Sequence, residues 1–332
     1  MSVIIPAFNA VPTLARCLEA VLASDYQPLE VIVVDDGSRD GTARLVEQDF
    51  PGVRLLRQAN QGAAGARNSG ARLARGSLWY FLDSDVVVEP RTIGQLVASV
   101  RDQRVDYVSG RYSTRPMNDG LIHHYKALFD YVYYIPERFK EQVYRDNQIG
   151  GGGDFFTRAA FEALGGYDAT ISGAGNEREE CFSRLHQLGL RSLANPLIKT
   201  RHFFPDLGSL LRNIQQRVLE NMLLMRKRPL PASYINPVPI LGGAVAVFLM
   251  LLALPLAWLL PEQRAVLAAL ALGGGVAFVI FSRHFIRHGL RKKGGWMLVR
   301  MMPLHGFFLV FSLYAGLRAV VRCHILGEVR DG

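Results

Sequence analysis

"YFLDSDVVVEP", residues 80–90, places two carboxylates directly after an apolar run that reads as a buried strand. Asp83 and Asp85 are two positions apart, so on an extended segment their side chains point to the same side. Two such carboxylates repel each other and are costly to desolvate unless a cation or hydrogen bonds compensate them. The spacing therefore favours a divalent metal site. A polar loop in which one aspartate caps the next helix is the alternative.

Strand-like runs alternate with helical patterns on the N-terminal side of this stretch. The runs SVIIPAFN, LEVIVVDDGS and VRLLRQ precede it, and helical segments separate them. Continuous apolar strands between helices predict an α/β fold with a mostly parallel sheet and helices on both faces. In such sheets, ligands bind at the carboxyl ends of the strands. Asn9, Asp35, Asp36, Asp83 and Asp85 all fall at predicted strand ends.

The loops after the strands separate this chain from the dinucleotide-binding enzymes. The first strand-to-helix turn, PAFNAVPTL, lacks G-x-G-x-x-G, which argues against a nicotinamide or flavin enzyme. The segment NQGAAGARNSG instead places Gly62 and Gly65 ahead of Arg67 at a predicted helix start. Small residues allow a close backbone approach, and Arg67 could reach a diphosphate there. A tight turn is the alternative.

Three apolar segments follow near the C-terminal end. Residues 237–260 carry no charge and are long enough to cross a bilayer, which takes roughly 20 apolar residues. Residues 265–282 form a shorter uncharged run, and together the two predict a helical hairpin. Residues 296–321 contain Arg300 and His305, so this third segment spans, re-enters or lies along the interface.

A basic segment, RHFIRHGLRKKGG, lies between the second and third apolar runs. We predict a short loop that stays on the cytoplasmic side, which places the N-terminal domain at the cytoplasmic face of the inner membrane. The formal net charge of +9 fits a surface that faces anionic membrane lipid. No recognisable nucleic-acid motif accompanies the basic residues, so no nucleic-acid partner is expected.

Four motifs, SVIIPAFN, VIVVDDGSRDGT, NQGAAGARNSG and FLDSD, occur in order along the chain. In this order and spacing they resemble the family 2 glycosyltransferases of the GT-A fold. The resemblance covers about residues 1–230, with a nucleotide-sugar half at residues 1–110 and an acceptor half at residues 111–230. Residues 231–332 are then a membrane region with two or three transmembrane or interfacial helices.

The resemblance implies a donor site with a divalent cation, Mg2+ or Mn2+, that bridges the diphosphate of a nucleotide sugar. By this analogy Asp85 is a metal ligand, Asp83 contacts the ribose or the metal, and His202 assists the metal or the diphosphate. Asp36 hydrogen-bonds the nucleobase or ribose, with Asp35 close by. The other implied donor-binding residues are Pro6, Phe8, Asn9 and Arg67.

The motif that supplies the catalytic base in the family is broken here. In the family the base is the aspartate of a Glu-Asp pair that precedes an arginine. Aligning NEREECFSRL on Arg184 puts Glu177 at the glutamate position and Arg178 at the aspartate position. Glu177, Glu179 and Glu180 are therefore all candidates for the base. A solvated, charged helix start is the alternative, because glutamate is favoured there by the helix dipole.

The resemblance implies a membrane-anchored inverting glycosyltransferase with a lipid-linked or cell-envelope glycan acceptor and a UDP-sugar as the expected donor. A polyprenyl-phosphate glycosyltransferase is the first alternative, because a lipid phosphate needs little help from a base. A non-catalytic, nucleotide-binding membrane scaffold is the second. The intact D-x-D and DDGS motifs argue against the scaffold.

Overall fold

The computed structural model describes residues 1–133, 143–145, 151–171, 176–227 and 237–325. Its strands are β1 (Ser2–Ala7), β2 (Glu30–Asp35), β3 (Arg54–Arg57), β4 (Leu78–Phe81), β5 (Val86–Val88), β6 (Tyr107–Tyr112), β7 (Tyr144–Arg145), β8 (Asp154–Thr157) and β9 (Ser192–His202).

The α-helices within the same ranges fall into two groups. Those of the N-terminal part are α1 (Val11–Leu22), α2 (Thr42–Asp49), α3 (Gly62–Leu73), α4 (Thr92–Gln103), α5 (Leu121–Tyr133), α6 (Arg158–Leu164), α7 (Asn176–Gln187) and α8 (Leu207–Lys227). Those of the C-terminal part are α9 (Pro237–Leu259), α10 (Arg264–Phe281), α11 (Arg283–Lys293) and α12 (Gly295–Val320).

One sheet contains all the described strands, in the order β3-β2-β1-β4-β8-β6-β9-β5, with β7 paired to β9. The first four strands are parallel, as the sequence predicts. Beyond β4 the sheet is mixed, because β8 is antiparallel to β4 and β6, while β5 is antiparallel to β9. The strands β5, β7 and β8 have only three, two and four residues, which is too short for a periodic pattern in the sequence.

Each face of the sheet is covered by its own apolar core. Along β1, Val3 and Ile5 pack on one face, in a cluster that includes residues of α1, α2 and α4. Ile4 lies on the other face, with residues of α3, α6 and α7. Alternate side chains of a strand point to opposite faces, so a strand covered on both sides is apolar at every position. This explains the unbroken apolar run at the start of the chain.

Three C-terminal helical segments are long and apolar enough to cross a membrane: Val238–Leu259, Pro261–Phe281 and Gly295–Cys323. The first two correspond to the predicted hairpin, and the third continues as one helix through Pro303. The predicted basic loop is instead the helix α11. It is helical because Phe285, His288 and Gly289 lie at helical spacing and form a buried face.

Helix α5 of the N-terminal part packs with the C-terminal helices in one apolar core. Tyr125 and Leu128 of α5 belong to the same buried cluster as Phe285, Leu298 and Phe308. The predicted domain boundary at residue 230 lies outside the described residues, so the boundary stays a prediction. The shared core shows that the C-terminal helices already pack on residues of α5, about 100 positions before the predicted boundary.

Candidate active site

The predicted donor residues gather at one edge of the sheet, where β1, β2 and β4 end side by side. An open cleft of about 490 Å³ lies at the end of β2. It is lined by Asp35, Gly37, Ser38, Arg57, Gln58 and Ala59. Carboxylate, amide and guanidinium groups around one cleft can hydrogen-bond a polar ligand such as a nucleoside.

The two aspartates of the DDGS motif have different surroundings. Asp35 lines the cleft, accepts a 3.0 Å hydrogen bond from the backbone N–H of Ser38, and lies 3.8 Å from Nε of Arg57. Asp36 turns to the following loop, where its Oδ1 accepts from Nε2 of Gln58 at 2.7 Å and from the backbone N–H of Gln61 at 2.9 Å. Asp35 is therefore the carboxylate at the cleft, and Asp36 holds the loop that forms its wall.

The turn after β1 carries the other residues of the first motif. Asn9 has a φ of 50°, and its Oδ1 accepts a 2.9 Å hydrogen bond from the backbone N–H of Arg39. Its own N–H donates to Oγ of Ser38, so Asn9 ties this turn to the DDGS loop. The Phe8 side chain is 52% exposed, whereas Pro6 lies within β1. Their predicted contact with the donor stays a prediction.

The D-x-D motif lies in a turn between β4 and β5 and not on an extended strand. The backbone N–H of Val86 donates to the carbonyl oxygen of Asp83 at 3.1 Å and closes this turn. Asp83 pairs with arginines, and Asp85 pairs with a histidine. The backbone at this motif is therefore not the extended segment assumed from the sequence, and a metal held by both carboxylates stays a prediction.

Arg67 and Arg178 both face Asp83. Nη2 of Arg67 lies 2.7 Å from Oδ1 of Asp83, and Nη1 of Arg178 lies 3.7 Å from Oδ2. Arg67 is only 4% exposed, and its Nη1 also donates to Glu177 at 2.8 Å. Burial favours the neutral acid, but Arg67 and then Arg178 outweigh it and hold the pKa of Asp83 at about 2. Asp83 is thus ionised and already compensated.

Asp154, at the start of β8, is a site residue that the sequence reasoning missed. Its carboxylate accepts from the hydroxyls of Tyr107 at 2.8 Å and Tyr167 at 2.9 Å, and from Nε of Arg178 at 2.6 Å. Burial, followed by the charge of Asp154, raises the pKa of both phenols, so they remain donors. The available signal was an aspartate that follows four glycines and opens an apolar strand.

The three candidate base residues on α7 have different partners. Glu177 is buried against Arg67, and Glu180 is buried and makes two bonds to Arg184, at 2.7 and 2.8 Å. Glu179 is exposed. Glu177 is linked to Asp83 through Arg67, whereas Glu180 is tied to the arginine of its own helix. Which glutamate acts as the base stays a prediction.

Asp85 and His202 form the pair best suited to a cation. The β5–β9 pairing aligns Val86 with His202, and Oδ2 of Asp85 lies 3.3 Å from Nε2 of the imidazole. The ring of Tyr112 packs against the imidazole of His202, with 4.5 Å between the ring centroids. In the described part of the chain, no three His, Cys, Asp or Glu side chains gather as a metal cluster. A two-ligand site fits Mg2+ or Mn2+ completed by phosphates, because such cations keep few protein ligands in phosphate-binding enzymes.

An α/β sheet with polar loops at the carboxyl ends of its first strands and a mixed second half defines a protein of the GT-A class. Residues 2–165 match the family model for glycosyl transferase family 2. Residues 2–165 are therefore a family 2 glycosyltransferase domain, and the predicted family and fold are confirmed.

Relatives and solved structures agree with this family. Glycosyltransferase GlyG of Streptococcus pneumoniae serotype 4 is 36% identical over 136 residues, which cover 40% of this chain and 45% of that protein. Succinoglycan biosynthesis protein ExoO of Rhizobium meliloti is 31% identical over 219 residues, 56% of this chain and 63% of that protein. These matches span less than two thirds of the relatives' own lengths. They support the predicted enzyme class, a glycosyltransferase.

A mannosyltransferase from Pyrobaculum calidifontis, PcManGT, solved in complex with GDP-Man and Mn2+, has a similar fold. Its TM-score is 0.55 at 19% identity, and the match covers 98% of this chain and 87% of that one. Staphylococcus aureus TarS gives a TM-score of 0.50 at 16% identity, over 66% of this chain and 39% of that one. At these identities the likeness shows the fold alone.

Proposed function

We propose that this chain is a membrane-anchored, inverting glycosyltransferase that uses Mg2+ or Mn2+ and a nucleotide-diphosphate sugar, with a lipid-linked or cell-envelope glycan as acceptor. The Asp85–His202 pair carries this proposal, because it lies at the same sheet edge as the Asp35 cleft. The GDP-Man and Mn2+ bound to the archaeal neighbour support the donor type and the metal.

In the proposed donor complex the cleft beside Asp35 takes the nucleoside, and the diphosphate extends along the sheet edge toward the D-x-D turn. Asp85 and His202 would hold the cation, which supplies positive charge to the departing diphosphate. Arg67 already pairs with two carboxylates through its Nη1 and Nη2 atoms. In this proposal its main role is to fix Asp83 and Glu177 relative to each other.

A hydroxyl acceptor requires a base on the face of the sugar opposite the leaving group. Glu177 is our first choice, because its partner Arg67 also contacts the D-x-D aspartate. The base accepts the proton of the acceptor hydroxyl as the acceptor oxygen attacks the anomeric carbon. Attack from that face inverts the anomeric configuration.

A second candidate is transfer to a polyprenyl phosphate, and Arg178 favours it. Arg178 occupies the position where the family has the aspartate that acts as the catalytic base, and its guanidinium lies 3.7 Å from Asp83. Glu177 and Glu180 are both held by arginines. A phosphate acceptor is already an anion, so it needs no base.

Anchoring in the inner membrane through the three apolar helices completes the proposal, with the catalytic domain on the cytoplasmic side. Its support is the length and apolarity of these helices and the basic composition of α11 between the second and the third.

The test is a panel of nucleotide sugars, screened with the purified full-length chain with and without Mn2+ for a rise in Tm. A ligand that binds the folded state raises Tm by mass action, so the true donor should do so only with the metal. Asp85→Ala should abolish this rise and the transfer of sugar while the protein remains folded. Asp102→Ala, at an exposed aspartate paired with Arg101, is the matched control.

Normal transfer by a folded Asp85→Ala variant would rule out the metal role of Asp85. If a nucleotide sugar raises Tm but none is turned over, the non-catalytic scaffold takes the place of the enzyme. Comparing a glycan hydroxyl with a lipid phosphate as acceptor separates the two catalytic candidates.

A further inference from the structure

Helix α11 presents a cationic face to its surroundings. Its eleven residues include no Asp or Glu. Four basic side chains are exposed: Arg283, Arg287, Arg291 and Lys292. Across the described ranges of the chain, no carboxylate forms an ion pair with Arg287, Arg291 or Lys292. An exposed surface of this kind attracts anions.

The opposite face of α11 fixes this orientation, because it packs on helix α5 of the catalytic half. The ring of Phe285 lies 5.6 Å from that of Tyr125, and the ring of His288 lies 5.2 Å from that of Tyr131. A Cβ added at Gly289 would meet Leu298 of α12 at 2.6 Å and Leu128 of α5 at 3.4 Å, so α11 lies close to both helices there. The cationic face cannot rotate inward without breaking these contacts.

The position of α11 in the chain brings this face to the edge of the apolar region. The candidate spans Pro261–Phe281 and Gly295–Cys323 lie directly before and after it. Two apolar side chains adjoin the basic ones, namely Leu290, 53% exposed, and Trp296, 77% exposed. Tryptophan and basic residues side by side are typical of the boundary between hydrocarbon and lipid headgroups.

Lys293, at the C-terminal end of α11, is held against the N-terminal part of the chain and does not belong to the exposed basic face. Nζ of Lys293 lies 2.8 Å from Nδ1 of His124 and donates to the carbonyl oxygen of Thr114. Burial, followed by repulsion from Arg115, lowers the pKa of Lys293 to about 8.

We propose that the exposed basic face of α11 binds the phosphate groups of anionic phospholipids at the membrane surface. This inference rests on the membrane anchoring in the proposed function, but on neither the sugar donor nor the acceptor. The occupant is a lipid headgroup, because the cations lie between two candidate spans and beside exposed apolar side chains. Attraction to an anionic leaflet increases with each basic residue near its surface.

The test uses the full-length chain in a neutral detergent, titrated with phosphatidylglycerol or with phosphatidylcholine while Tm is measured. Phosphatidylglycerol should raise the Tm of the wild type, and phosphatidylcholine should not. In a variant with Arg287→Gln, Arg291→Gln and Lys292→Gln, the phosphatidylglycerol concentration at half of the rise should increase on the order of a hundredfold, about fivefold for each cation. All three substitutions are at exposed positions.

A matched control carries Arg44→Gln, Arg75→Gln and Arg104→Gln, which remove three exposed arginines of the catalytic half. This control should respond to phosphatidylglycerol like the wild type. An equal Tm rise with phosphatidylcholine or with inorganic phosphate, or an unchanged response in the α11 variant, would overturn the inference. Because Tm does not depend on sugar transfer, failure of the lipid site and failure of the enzymatic proposal are distinguishable.

Discussion

Arg67 joins Asp83 to Glu177: Nη2 lies 2.7 Å from the aspartate and Nη1 lies 2.8 Å from the glutamate. One buried guanidinium therefore connects the D-x-D turn to helix α7, whose glutamate is 110 positions away in the chain. The donor edge and the predicted base residue are held in a fixed relation by this single side chain.

We expect Arg67→Met to destabilise the protein by about 3–5 kcal/mol, because it removes the arginine that pairs with the buried Glu177 and the nearer of the two arginines that face Asp83. Thermal unfolding of the detergent-solubilised chain measures the effect. Arg72→Met is the control, since Arg72 lies exposed on the same helix and should change stability by less than about 0.5 kcal/mol. Equal Tm values for the two variants would contradict the bridging role.

Asp35→Asn should weaken binding of the nucleoside diphosphate by about 1.5–3 kcal/mol, roughly 10- to 150-fold, because it removes the charged hydrogen-bond acceptor that the cleft offers to the nucleoside. Asp36→Asn should have a smaller direct effect, since its carboxylate bonds the loop through Gln58 and Gln61. Calorimetric titration compares both with Asp49→Asn, at an exposed position. A larger loss with Asp36→Asn would place the nucleoside contact there instead.

The base can be identified by substituting glutamine at Glu177, Glu179 and Glu180 one at a time. Loss of the base should lower turnover by about 10²- to 10⁴-fold with little change in donor affinity. We expect this result for Glu177→Gln, and for Glu180→Gln mainly a lower Tm, because it loses its ion pair with Arg184. Near-normal turnover in all three variants would favour the polyprenyl-phosphate acceptor.

Glu30 should make stability depend on pH. Burial opposes its ionisation, but hydrogen bonds from the Ser2 hydroxyl and the N–H groups of Arg75 and Gly76 outweigh it and lower its pKa. A carboxylate whose pKa is lowered on folding stabilises the protein above its unfolded-state value, here 4.5, and loses this contribution as the pH falls through the folded-state value. Glu30→Gln should therefore lower Tm at neutral pH.

The difference in Tm between wild type and Glu30→Gln should shrink as the pH falls below about 4.5, the unfolded-state value. Glu47→Gln, at an exposed position, controls for the general effect of removing a negative charge. A difference that stays constant down to the acid transition would show that Glu30 does not titrate with folding.

The sequence was sufficient for the parts of the fold that depend on local pattern. Apolar strands β1, β2 and β4 and the polar residues at their ends are visible as runs in the sequence. At the D-x-D motif the structure has a turn where an extended backbone was assumed. The sequence does not show this, because a three-residue strand such as β5 leaves no periodic signal to mark where the extended backbone ends. Helix α11 was read as a loop because its charge is more conspicuous than its three buried residues.

Long-range pairing explains what sequence reasoning missed in the site. Asp154 reaches Arg178 only because β8 pairs with β4 and β6. Arg67 was expected at a diphosphate, since the motif around it does not reveal the acidic partners that folding supplies. Spacing along a chain identifies strand ends, but it does not identify which charges neutralise each other.

Because α5 packs against α11 and α12, the C-terminal helices form part of the apolar core of the catalytic half and are more than a flexible anchor. A shortened protein that ends after α8 would expose Tyr125, Leu128 and Phe129, which are now buried, and its acceptor half would aggregate or lose its shape. With the proposed anchoring, the height and tilt of the donor cleft over the bilayer are set by side-chain packing. The enzyme would then bind its acceptor at a fixed depth relative to the bilayer surface.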